Sequence, residues 1–183
     1  MKCKFLIAAL ISGVFLVSSP ISFAEEGTTS LEILPLDEAH PRIYEVSDLN
    51  FGRHEVAESG IKISAQDDLV IKILDARKIS QGWVLQVKLG KLQNEQKQTL
   101  NQVNLDVGKG RIQGDDIAGI SAEAAHLTAE DDTYQTVLKS DNSVRGTYVY
   151  TIPKQAIQLT FGSDSSIGKY EGTNNWRIIN AQF

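Results

Sequence analysis

Three adjacent carboxylate pairs, Asp67-Asp68, Asp115-Asp116 and Asp131-Asp132, are the first residues whose type suits chemistry, either acid–base work or cation binding. Their spacing serves neither. Neighbours in an extended chain point to opposite faces, so a sequence pair is not an acid/base pair. The alternating ligands of an EF-hand loop are absent. Each pair lies where the sequence predicts a turn, and Asp is common there because its side chain bonds nearby backbone. His40, His54 and His126 are far apart and form no metal-binding motif, and the chain has no Gly-x-Ser-x-Gly nucleophile elbow. The glycine-rich "GKGRIQGDD", 108–116, lacks a phosphate-loop pattern and reads as a hairpin or mobile loop. The residues favour a non-catalytic protein, with no cofactor and no metal expected.

Two tryptophans remain, Trp83 and Trp176, whose rings could stack on sugars or fill a core. Trp83 opens "GWVLQVKLG", 82–90, where Trp83, Leu85, Val87 and Leu89 take every second position. A period of two marks a half-buried strand. Apolar partners on the same face favour the core for Trp83. Trp176 shares a face with Ile178 but follows Asn174 and Asn175, so both readings stay open for it. Asp75 and Arg77, two apart, could face one way. They read as a surface ion pair at a turn, worth about 0–1 kcal/mol, with a charged ligand site beside Trp83 as the alternative.

The elements that must position these side chains are short. Strand-like runs cover 43–52, 60–66, 69–77, 82–90, 102–108, 136–140, 146–153, 156–162 and 175–183, rich in Val, Ile, Leu, Thr and Tyr and bounded by turn residues. Residues 34–42, with Pro35 and Pro41, read as a loop or edge segment. The best helical candidate is "SAEAAHLTAEDD", 121–132, with Ser121 as N-cap. The expected fold is all-β, a single-domain β-sandwich or barrel-like sheet with at most one or two short helices.

Lys2 and Lys4, the apolar run from Phe5 to Val17 and the small residues before Glu25 read as a secretory signal peptide, residues 1–24, cleaved after Ala24. The apolar run is short for a membrane span of about 20 residues. Cys3, the sole cysteine, leaves with it, so the expected mature domain, 25–183, holds itself together by packing alone. Without Lys2 and Lys4, the 18 basic residues become 16 against 23 acidic ones, a net charge of −7. That balance argues against nucleic acid as a partner. No second apolar run of membrane length follows, so no integral membrane segment is expected after processing.

The order of these elements resembles the WxL family of Gram-positive cell-surface domains, named for two Trp-x-Leu motifs. Trp83-Val84-Leu85 matches the first motif, and Asp75-Ala76-Arg77 matches the Asp-x-Arg element before it. "DLNFG", 48–52, looks like the early Asn-Phe-Gly element, and "GKYEGTNNWRI" like the second motif, with Tyr170 six residues before Trp176. That motif reads Trp176-Arg177-Ile178, and Ile for Leu conserves volume. The resemblance covers about residues 31–183.

It implies a secreted, non-enzymatic protein attached non-covalently to the cell wall, through peptidoglycan or another wall polymer, and associated with membrane-anchored surface partner proteins. The alternative is a protein–protein adhesin or complex subunit with no glycan affinity of its own. The motif residues Trp83, Leu85, Trp176, Ile178, Asp75, Arg77 and Tyr170 are the candidate binding set. N-terminal sequencing of secreted protein should begin at Glu25; a chain still beginning at Met1 would contradict processing.

Overall fold

In the computed structural model the alternation read from 82–90 is a strand with Trp83, Leu85, Val87 and Leu89 buried. The structure describes residues 39–55, 61–78, 81–141, 145–163 and 166–181. The expected signal peptide, 1–24, lies outside them. They belong to one compact unit, Pro35–Phe183.

Twelve strands follow in order: β1 (Arg42–Val46), β2 (Ile61–Ser64), β3 (Leu69–Asp75), β4 (Trp83–Leu89), β5 (Asn104–Val107), β6 (Arg111–Gly114), β7 (Ile120–Ala122), β8 (Ala125–Thr128), β9 (Gln135–Ser140), β10 (Gly146–Ile152), β11 (Ile157–Phe161) and β12 (Asn174–Asn180). A 3-10 turn, Lys154–Ala156, joins β10 to β11. The strands form three antiparallel four-stranded sheets, ordered β1-β3-β10-β6, β2-β11-β5-β8 and β12-β4-β9-β7. The fold is an all-β sandwich.

One hydrophobic core draws on all three sheets. Ile71 and Ile73 of β3, Tyr148 and Tyr150 of β10, Trp83 and Leu85 of β4, and Leu105 of β5 all belong to it. Burial pushes the hydroxyl pKa of both tyrosines up. The Tyr150 hydroxyl donates to the Val137 carbonyl (3.3 Å) and accepts from the Gly110 N–H (3.1 Å), which satisfies it in the interior.

Two segments differ from expectation. Residues 121–132 are not a helix: β7 and β8 occupy them, with Ala125 and Leu127 buried and His126 facing out to Asp106. Alanine favours helix locally, but burial at alternate positions against β5 outweighs that preference. Residues 108–116 are neither a simple hairpin nor a loop, because β6 within them pairs with β10. A Cβ at Gly110 would come within 2.6 Å of the Tyr150 ring and 2.5 Å of the Thr151 carbonyl. Glycine here permits close approach of backbone to a buried ring rather than a turn. The three aspartate pairs do lie beside strand ends, and Asp116 caps a turn by accepting from the Ala118 N–H (2.9 Å).

Trp83 is wholly buried and tilted against Tyr148, with ring centroids 6.2 Å apart. Its indole N–H has no hydrogen-bond partner, a cost of about 1–3 kcal/mol. Truncating a buried Trp to Ala typically costs about 3–5 kcal/mol, so packing outweighs the orphaned donor. Denaturant unfolding should therefore show Trp83→Ala destabilised by about 3–5 kcal/mol. Trp83→Phe, which removes the donor but keeps a ring, should lose clearly less. Equal losses in the two variants would contradict packing as the main contribution of this side chain.

Candidate functional site

The signature residues fall into two groups. The first surrounds Trp83. Arg77 donates through Nε (2.9 Å) and an Nη (2.8 Å) to the two carboxylate oxygens of Asp75, and its backbone N–H adds a third bond to Asp75 (3.1 Å). The other Nη reaches Asn180 Oδ1 (2.8 Å), and the Gln81 carbonyl accepts a further bond (2.6 Å). Both charged side chains have no solvent exposure. This corrects the expected surface pair. A turn-level pair worth almost nothing has become an interior fork joining the end of β3, the entry to β4 and the end of β12. Asn180 pairs with Trp83 and Ile178 with Leu85 across β12–β4, and the Ala181 N–H bonds the Gly82 carbonyl (2.9 Å). Asp75, Arg77, Trp83 and Leu85 are thus shut off from solvent.

The second group lines a cleft of about 1650 Å³, larger than the roughly 300–1,000 Å³ of small-molecule pockets. Its apolar floor includes Leu69, Leu89, Leu105 and Leu159. Phe51, Phe161, Tyr170 and Trp176 supply its aromatic lining. Each ring is half-buried and packed against the core.

Local structure explains their placement. Asn50 Oδ1 accepts the Gly52 N–H (2.8 Å) while the Asn50 carbonyl takes the Gln66 N–H (2.8 Å). Gly52 has φ +77°, where a side chain is strained. This Asn-Phe-Gly turn sets Phe51 on the cleft wall. The Tyr170 hydroxyl bonds the Ser166 carbonyl (2.9 Å) and Oγ (2.7 Å). Gln93 and Glu171 exchange two backbone bonds, tying the loop before β12 to the segment after β4. On β12 the period of two turns Trp176 and Ile178 inward and Asn175, Arg177 and Ile179 outward.

The structure therefore separates Trp83 and Leu85 from the cleft and brings Tyr170 to Trp176, with Phe51 as an addition. Phe51 was legible only as part of a motif; nothing in its local pattern marks it as cleft-lining. Among the described residues, no three His, Cys, Asp or Glu side chains gather to hold a metal ion.

The chain belongs to the WxL family: residues 38–181 match the family described as "WxL domain surface cell wall-binding". No curated protein and no solved structure matches the chain.

The fork yields a sharp stability expectation. Removing one partner of a buried ion pair costs about 3–5 kcal/mol, because the other charge stays buried and alone. Asp75→Leu and Arg77→Leu should each lose that much in denaturant unfolding. The double variant should lose clearly less than the sum. Additive losses would contradict the pairing.

Proposed function

We propose that this chain is a secreted, non-catalytic surface protein that attaches non-covalently to peptidoglycan or another polymer of a Gram-positive wall. In this reading it also takes part in a surface complex with membrane-anchored partner proteins. Membership of a cell-wall-binding family supports the first part. The observation that carries the reading to particular residues is the cleft. Two family elements more than a hundred residues apart, around Phe51 and around Tyr170 and Trp176, line one open space.

The chemistry suits a polysaccharide. Half-buried rings give flat apolar faces for the C–H side of a sugar. Asn50, Ser166 and Thr173 on the same lining supply hydrogen-bond partners for its hydroxyls and amides. The rings are braced by the core, so little ordering entropy is lost on binding. Tyr170 and Trp176 are the proposed contact residues with Phe51, and Ile178 supports Trp176 from the same face of β12. Asp75, Arg77, Trp83 and Leu85 then serve binding only by holding β12 in place. Among the described residues no helix is long and apolar enough to cross a membrane.

Sedimentation with purified, protein-free wall sacculi tests this. The wild-type protein should sediment. Trp176→Ala should remain folded and lose about thirtyfold in affinity, a hot-spot loss of ~2 kcal/mol. Wild-type protein left in the supernatant would overturn the wall reading in favour of an adhesin without glycan affinity.

A further inference from the structure

The outward face of β12-β4-β9 carries a second constellation that the cleft does not use. Arg177 lies with its guanidinium carbon 3.7 Å from the centre of the Tyr134 ring. Its Nε donates to Gln86 Oε1 (2.8 Å), and Gln86 Nε2 donates in turn to Thr136 Oγ1 (3.1 Å). A relay across three strands thus fixes the guanidinium in position and orientation. Arg177 is solvent-exposed, and neither Nη has a partner among the described residues.

Its surroundings are nearly neutral. Lys88, 5.2 Å from the Tyr134 ring centre, is paired with Asp132 at 2.5 Å. Lys139 is paired with Asp141 at 3.3 Å. Asn175 faces the same way, opposite Lys88 in the register. Among the described residues of this face, Arg177 is a charge without a carboxylate partner, in a chain with 23 acidic and 18 basic residues.

We propose that Arg177, stacked on Tyr134 and braced by Gln86, is an oxyanion-binding site. It would recognise the phosphodiester or carboxylate groups of an anionic wall polymer. The stack and the Nε bond leave both Nη groups free to meet two oxygens of one anion as a fork. The rotamer entropy such a bond usually costs has already been spent within the sheet. The ring's main role here is to hold the guanidinium, since Arg177 covers it. An acidic protein approaching an anionic polymer is repelled overall, so attachment needs a fixed local cation, and its contribution falls with salt. The assignment of the anion to the wall rests on the wall-attachment reading; the anion site itself does not.

Two measurements test it. In the first, the Arg177 Nε–H resonance is followed by NMR as inorganic phosphate, then acetate, is added at constant ionic strength. Saturable shifts should appear there and in the amides of 86–88 and 134–136. They should vanish in Arg177→Gln and weaken in Arg177→Lys, which keeps the charge but not the fork. No shift, or equal shifts in Arg177→Gln, would overturn the site.

In the second, wild type and Arg177→Gln are sedimented with untreated sacculi, sacculi stripped of phosphate by hydrofluoric acid, and sacculi with amidated carboxyls. Wild type should exceed Arg177→Gln about tenfold on untreated walls, the scale of one charged hydrogen-bonded contact. That advantage should disappear in the arm that removes its anion. Equal sedimentation on untreated walls, with Trp176→Ala impaired, would overturn this inference and leave the cleft reading standing. Phosphate shifts at Arg177 in a protein that sediments with no wall would do the reverse.

Discussion

A guanidinium and a carboxylate, both withdrawn from water, tie together the end of β3, the entry to β4 and the end of β12. Desolvating Asp75 and Arg77 is expensive, and the pair need not add net stability over apolar residues of the same volume. What it adds is geometry. Arg77 is spoken for in every direction, by Asp75, Asn180 and Gln81. β12 is the edge strand of its sheet and pairs there with β4 alone. Edge strands are free to slip, and a slip of one residue exchanges the two faces of a strand. With Asn180 held by Arg77 opposite Trp83, that slip would cost a buried charge one of its partners.

The register matters because β12 has different chemistry on each face. One side presents Trp176 to the cleft, with Ile178 packed on the core. The other presents Arg177 on Tyr134. The residues that carried the resemblance in sequence thus divide by burial. Asp75, Arg77, Trp83 and Leu85 are closed off around the buried fork, while Phe51, Tyr170 and Trp176 are half-buried along the cleft. In the proposed account the first set positions and the second binds.

Much of the fold was legible from period-two burial. In β4 the inward residues Trp83, Leu85, Val87 and Leu89 could be named from sequence. β7 and β8 were not, because alanine and glutamate favour helix locally and only the pairing with β9 and β5 decides otherwise. β6 was hidden by the glycines at its two ends, Gly110 and Gly114, which lie against the rings of Tyr150 and Tyr148 far along the chain. Asp75-x-Arg77 was visible as a pair. Its burial was not, since that depends on Asn180 at the far end of the chain. The cleft was legible as separate motifs and not as one place, because closure of the sandwich brings Phe51 to Trp176.

The central claim is that the buried fork and the cleft are separate parts of one motif set. Hydrogen exchange of the folded protein, with and without soluble wall fragments, tests it most directly. The account predicts added protection at 48–54 and 166–176 and no change at 75–77 and 82–85, which are already buried. Ligand-dependent protection centred on 82–85, with none in the cleft segments, would contradict it.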